Sequence, residues 1–491
     1  MRRLLPVLVV VALLCGPLQA QQIDTTTLNK LLDQLAATLQ ELKATVNPPA
    51  PPPAPTPTPT PTPSPAPGAL PIVPGIQGYG VLTRAAYGGT TAPQVFRVTN
   101  RNDSGAGSFR AALEATMPRV VIFEVGGYID LADMIRITSP YLTVAGQTAP
   151  APGITLRKYG IEVQSHNILL QHFRIRPGEW GQGKTDNCAL IAWGPNAHDI
   201  VLDHMSVSWG PDENIAADTY YSGDMNMTVW RSISAEGLDF PTSVPTSASH
   251  GLLVQAKSKK VSVAQSLLAS NRERNPYAQS DTSLAAVNNL IFNAFANWHF
   301  FFANFDINGN PSTGGPWYAS VVGNRLIAGP NTDDDSSYRQ GTAFYYDVPG
   351  STVVQGNRIY RSDNTRDASL GFPFVEQESE LNYDPNVSSP PTQAPLTPFA
   401  AMPSSQVEAW VLAHAGARPK DDDPVDVRIK RDVATRTGRG YIRSQSAVGG
   451  YPALTSTARA LTLPANAHTV TASGYTNLEL WLQSHAAAVG E

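Results

Sequence analysis

The chain has 491 residues, a formal net charge of -5 and two cysteines, Cys15 and Cys188. That charge excludes a surface built as a whole to attract polyanions; an acidic polymer would have to be met by a local basic cleft, a bound cation or both, and no nucleic-acid partner is expected. So few cysteines exclude a disulfide framework, which leaves a large core to hold the fold.

Arg2 and Arg3 precede an apolar stretch, Leu4 to Leu14, and Leu18-Gln19-Ala20 offers a small-residue cleavage site. Residues 1–20 therefore read as a secretory signal peptide, and the expected destination is extracellular, with the periplasm as the alternative. Cys15 would suit a lipoprotein only after a small residue, and Leu14 is large. The stretch is too short to span a bilayer and no later one is longer, so no membrane span is expected. With the signal removed, Cys188 stands alone.

Residues 21–46 form a short amphipathic segment. Leu28, Leu32, Leu35, Leu39, Leu42 and Val46 follow a heptad seam. The seam is either a small coiled coil, giving a homo-oligomer through residues 28–46, or a lone surface helix, since under three heptads is marginal in water. Residues 47–69 alternate Pro-Thr and Pro-Ala, an extended semi-rigid spacer, so the main domain starts near residue 70.

From 70 to 370, short β-rich runs recur between polar loops of unequal length. The repeated core reads Leu-Leu-Gln-His172-Phe, Val-Leu-Asp-His204-Met, Val-Trp-Arg-Ser232-Ile and Val-Ala-Gln-Ser266-Leu. It continues as Ala-Val-Asn-Asn289-Leu, Val-Val-Gly-Asn324-Arg and Val-Gln-Gly-Asn357-Arg. A period of roughly two to three dozen residues is what stacked coils give. The polar residue marks a tight turn, where stacked asparagines can bond along a ladder. A doubly wound α/β fold would need a helix between strands, and a sandwich or propeller would alternate more strictly. The expected fold is all-β, a right-handed parallel β-helix. Residues 411–438 read as helical, ending at Thr437-Gly438, and the tail over 371–491 is expected to pack on the coils and cap them.

Several motifs in order carry a family resemblance. They are Gly78-Tyr79-Gly80, Val98-Thr99-Asn100, Asp103-Ser104-Gly105-Ala106-Gly107-Ser108-Phe109-Arg110, Phe123-Glu124-Val125-Gly126-Gly127 and Val144-Ala145-Gly146-Gln147-Thr148-Ala149-Pro150. The most specific are Leu202-Asp203-His204-Met205-Ser206, Trp209-Gly210-Pro211-Asp212-Glu213-Asn214 and Arg274-Asn275-Pro276. The chain resembles the pectate lyases of polysaccharide lyase family one, and its tail, from Ser444-Gln445 and from Gly474-Tyr475, resembles those of bacterial members. The resemblance implies a secreted enzyme that cuts pectate, an acidic plant cell-wall polysaccharide, by calcium-assisted β-elimination. The C5 proton is α to a carboxylate, so its removal builds negative charge that a hard cation can stabilise.

Carried over residue by residue, the resemblance makes Asp186 and Glu213 calcium ligands, with Asp212 and Asp218 as further candidates. Strand alternation would turn only one of Asp212 and Glu213 to the ion, and Glu213 is preferred. Arg274 matches the arginine that takes the proton; its pKa would have to be lowered by calcium and by cations such as Arg272. Arg272, His250 and Tyr277 are the expected substrate-binding residues, His250 standing where the family has a lysine. Tyr277 or Gln279 falls near the family's second arginine. Cys188 replaces an expected aspartate and reads as a small packed residue. The Asp203-His204 pair reads as wall structure rather than part of a triad. Trp180, Trp209, Tyr220 and Tyr221 are candidates for either a sugar groove or the core. A lyase for pectin or another uronate polymer, and a glycan-binding β-helix without activity, are the competing functions.

Overall fold

The alternation of turn residue and apolar run builds coils, each giving one strand to each of three sheets. A computed structural model describes residues 30, 34, 70–181, 188–219, 223–241, 248–295, 300–303, 306, 315–332, 344–347, 357–367 and 399–490. The chain divides into Met1–Pro63 and Ser64–Glu491, and every described strand lies in the second unit. Lys30 and Gln34 are helical; the other expectations for residues 1–69, including the oligomer seam, lie outside the described residues.

Among the described residues the sheets hold ten, eight and ten strands, and successive coils pair parallel, in register apart from a shift between Asp224 and Met227. In the first sheet Leu202 sits between Leu170 of the coil before and Val229 of the coil after. In the eight-stranded sheet Ile161, Leu190, Ile215 and Leu252 stack inward and are buried. Each such side chain contributes roughly 1.5–3 kcal/mol on leaving water, so the stacked interior holds the fold without a disulfide. This is the expected parallel β-helix. The short helix α1 (Phe109–Leu113), capped by the Ser108 side chain, sets Phe109 against Phe123 and Phe173 with ring centroids 5.0 and 5.8 Å apart.

The turn from the first sheet to the third repeats one conformation. His172, His204, Arg231, Gln265 and Asn288 all have φ between +45° and +59°. The next residue in the later coils forms the ladder. Asn289 Oδ1 accepts from Ser266 N at 3.1 Å, Asn324 Oδ1 from Asn289 N at 2.8 Å, and Asn364 Oδ1 from Asn324 N at 3.1 Å. Their amides also link side chain to side chain, at 3.0 and 2.8 Å. Asn357 is not the last rung. It precedes the strand Arg358–Ser362 and accepts from Trp317 N at 3.0 Å, and Asn364, after that strand, takes the place.

Among the described residues, the stretch expected as one helix over 411–438 is divided between two. α2 (Ser404–His414) stops before Gly416, whose φ is +106°, and α3 (Pro424–Thr435) restarts with the Asp423 side chain accepting from Asp426 N and proline in the first turn. Arg436, left-handed at φ +57°, ends α3 before the expected Gly438. Val407, Val411, Ile429 and Val433 of these helices pack on Trp209, Ile233 and Leu267 along the flank. A quartet of buried charges fixes α3. Arg174 Nε lies 3.0 Å from Asp426 Oδ2, Arg176 Nη2 2.7 Å from Asp426 Oδ1, and Arg176 Nη1 2.5 Å from Asp423 Oδ2. The last helix, α4 (Asn477–Val489), opens with a capping box of Thr476 and Glu479 and buries Leu478 and Leu482 against Val120 and Ile122. Thr457–Ala458 pairs antiparallel with Val125–Gly126, covering the edge of the third sheet. Among the described residues no helix is long and apolar enough to cross a membrane.

Candidate active site

In the eight-stranded sheet, the inward stack of Leu190, Ile215 and Leu252 leaves the opposite face to Ile191, Ala216, Leu253 and Tyr277. Where these strands begin, stacking superposes Cys188, Glu213 and His250, and the next coil adds Glu273 and Arg274. Glu213 pairs with His250 across the ladder, and Arg274 O accepts from Leu252 N at 2.6 Å.

Glu213 is the hub, with its side chain only 4% exposed. It takes an ion pair from Arg274, the Cys188 thiol donates to its Oε2 at 3.1 Å, and His250 Nδ1 lies 3.5 Å from its Oε1. Asp212 Oδ1 is 3.2 Å from the same His250 nitrogen, and Glu273 approaches His250 Nε2 at 3.9 Å. Both members of the Asp212-Glu213 pair thus join the cluster. Strand alternation does not apply, because Asp212 lies in the turn before the strand Glu213–Asp218.

The other expected residues divide. Asp218 ends that strand, about 16 Å along it from Glu213 at roughly 3.3 Å per residue, and does not join the carboxylates. Asp186 lies outside the described residues. Arg272 turns away from Arg274: it pairs with Asp239 at 3.4 Å and sits 4.9 Å over the Phe295 ring. Tyr277 is buried in the apolar patch with Cys188, and the Arg274 guanidinium lies 5.5 Å over its ring. Trp209 is core, its indole N–H donating to Glu236 at 2.9 Å. Trp180, Tyr220 and Tyr221 have no described side chain. His204 stacks on His172 with centroids 4.7 Å apart and its Nδ1 is 2.7 Å from Asp203, a wall contact as expected. The sequence reading missed Glu273; its place between two arginines in Arg272-Glu273-Arg274 was the available signal.

Burial opposes charge on Glu213, but Arg274 and then His250 hold its carboxyl well below the ordinary range. Burial and the neighbouring Glu213 charge push Asp212 up, the mark of two acids sharing one place. Burial, reinforced by both carboxylates, pushes the Cys188 thiol well up, so it stays protonated. On Arg274 burial acts downward, yet Glu213, Asp212 and Glu273 outweigh it and its pKa is raised. The expected lowering through Arg272 is absent because Arg272 is engaged elsewhere.

The donor atoms of Cys188, Asp212 and Glu213 lie within 4.8 Å of one another. Two adjacent, mutually repelling carboxylates fit a hard dication, which takes oxygen ligands in tolerant geometry. Cys188, a neutral thiol, adds no oxygen to the set.

No family model matches the chain. A curated protein of Neosartorya fischeri, described as "Probable pectate lyase C", is 30% identical over 444 residues, spanning 85% of this chain and 94% of that protein. One of the same description from Aspergillus fumigatus is 33% identical over 386 residues, 78% of this chain and 81% of that protein. Among solved structures, a pectate lyase bound to hexasaccharide is similar with a TM-score of 0.46 at 11% identity, over 70% of this chain and 96% of that one. The cedar pollen allergen jun a 1 has the same TM-score at 14% identity, over 68% and 91%. On the near full-length identity to curated relatives, the chain belongs to the pectate lyase family.

Proposed function

We propose that the protein is a secreted pectate lyase that cleaves α-1,4-linked polygalacturonate by β-elimination, with Arg274 taking the C5 proton. The observation that carries this reading is the Arg274–Glu213 pair on the outer face of the eight-stranded sheet, its guanidinium side chain 24% exposed and its carboxylate buried, in a chain of this family. Elimination breaks the C5–H and C4–O bonds, leaves a 4,5-unsaturated uronate, and returns a proton to the departing oxygen. While Glu213 and Asp212 face Arg274, the guanidinium stays protonated. Engaging those carboxylates elsewhere leaves burial, which lowers the pKa, as the dominant influence on Arg274.

Calcium belongs to this reading: Asp212 and Glu213 would hold it, with Asp186 as the expected third ligand. When bound it neutralises the carboxylate of the substrate and the charge that builds as the proton leaves. The signal-like leader motivates secretion. The bacterial source rests on the tail motifs alone, and the curated relatives are fungal.

A second reading has its own observation. Cys188 in place of a carboxylate and His250 bound among acids alter the charge pattern that an unesterified chain would meet, which favours pectin or another uronate polymer. The test is ultraviolet absorbance of the unsaturated product from polygalacturonate, pectin and other polyuronates, with calcium and with EDTA. Activity on polygalacturonate abolished by EDTA is expected. Activity only on another polymer selects the second reading, and no product from any of them refutes both.

A further inference from the structure

Charged groups continue beyond the site in alternating sign. Glu213 Oε1 lies 3.5 Å from His250 Nδ1, His250 Nε2 3.9 Å from Glu273 Oε2, Glu273 Oε1 3.7 Å from Arg272 Nε, and Arg272 Nη1 3.4 Å from Asp239. This strip ends at Phe240, which is 38% exposed although large and apolar. Two guanidiniums sit on its ring, Arg272 at 6.0 Å and Arg443 at 5.6 Å. Arg443 comes from the tail, more than 150 residues further along the chain. It is placed there because Ile442 is buried, bridges in parallel to Leu238, and accepts from Asp239 N at 2.7 Å through its carbonyl. Arg443 itself is exposed, and among the described residues no carboxylate pairs with it.

The exposed part of an aromatic ring can carry the C–H face of a pyranose, and a guanidinium beside it with no carboxylate partner among the described residues matches a uronate carboxylate. Both are what one uronate residue presents. The chain carries net charge -5, so a polyanion must be held by local cationic features such as this one. Resting on the proposed lyase reading, we infer that Phe240 and Arg443 form an outlying subsite for a uronate residue of the bound glycan, outside the sugars that a trimer places at Arg274. The tail thereby contributes to substrate recognition as well as to packing.

The test compares wild type with Arg443→Gln, Arg443→Lys and Phe240→Ala on polygalacturonate and on trigalacturonate. A lost exposed charge contact corresponds to about a twofold to fivefold change in affinity. Arg443→Gln is expected to raise KM for the polymer by about that factor, with kcat within about twofold. The trimer, too short to reach, keeps its KM, Arg443→Lys restores most of the polymer KM, and Phe240→Ala behaves like Arg443→Gln. An unchanged polymer KM in Arg443→Gln, or a fall in kcat on both substrates that lysine does not rescue, overturns the subsite. Mobility in native gels containing polygalacturonate separates this from failure of the lyase reading. If wild type makes no unsaturated product yet is retarded, and Arg443→Gln is retarded less, the subsite stands and the lyase reading falls. Equal retardation of the two overturns the subsite, and no retardation of wild type overturns both.

Discussion

Replacing Asp426 by alanine tests what fastens the tail. Its buried carboxylate accepts from Arg174 Nε at 3.0 Å, Arg176 Nη2 at 2.7 Å and Ser206 Oγ at 2.9 Å. Asp426→Ala leaves two fully buried guanidiniums facing Asp423 alone. Removing one partner of a buried ion pair costs about 3–5 kcal/mol, mostly the penalty of the charge left behind. At about 2.1 cal/mol/K per residue, a domain of roughly 400 residues unfolds with about 0.8 kcal/mol/K, so a loss of about 4 kcal/mol lowers Tm by about 5 °C. Scanning calorimetry at neutral pH reads this directly. A companion variant, Arg174→Met, Arg176→Met, Asp426→Leu and Asp423→Ser together, removes every charge while serine keeps the α3 cap. It is expected to recover most of the lost Tm. A fall below about 1 °C in Asp426→Ala, or a companion less stable than Asp426→Ala, would refute the argument that uncompensated charge is the cost.

Other consequences follow from the same geometry. Burial would raise the Asp203 carboxyl, but His204 beside it holds it down to about 2. A lowered carboxyl contributes stability above its unfolded pKa of about 3.9 and loses it as pH falls toward the folded value, here about 2–3 kcal/mol. Urea unfolding between pH 5 and 2 should show that loss in wild type and a shallower slope in Asp203→Asn. Asn289→Ala strips the acceptor from Ser266 N and two donor contacts, to Val263 O and Asn324 Oδ1. At about 1–3 kcal/mol for a buried group left unpaired, chemical denaturation should register the change, and an unaltered midpoint would mean the ladder is not stabilising. Cys188→Asp adds the missing oxygen ligand, so calorimetric titration should show calcium binding tightened by about tenfold or more, equivalent to at least about 1.4 kcal/mol. Equal affinity would mean that position does not reach the ion. Arg274→Ala should lower kcat on the preferred polyuronate by about 10²–10⁴-fold while binding in polyuronate gels persists.

The coil repeat was legible because turn chemistry is local. A left-handed residue and a small polar one recur before each apolar run, and that periodicity suffices for stacked parallel strands. The seventh rung was misplaced because Gly356-Asn357-Arg358 copies the pattern of Gly323-Asn324-Arg325, and only the pairing of Arg358–Ser362 with Tyr318–Val322 separates them. The cluster of Glu213, His250 and Arg274 was readable from motifs. The direction of Arg272 was not, since it depends on Asp239 and Phe295, contacts that no spacing encodes. Asp218 failed for a simple reason of length, five residues of extended chain being too far. The break between α2 and α3 was signalled by Gly416 and by Asp423-Pro424, although the apolar spacing ran across it.

The quartet of buried charges has a temporal side. Arg174 and Arg176 lie about 250 residues ahead of Asp423 and Asp426. A chain made from its N-terminus holds two arginines at the base of the coils long before their counter-ions exist. Until the segment around 423–426 is complete, the third sheet cannot close its flank without enclosing bare positive charge. That flank of the molecule is therefore sealed only once the segment carrying Asp423 and Asp426 has been made.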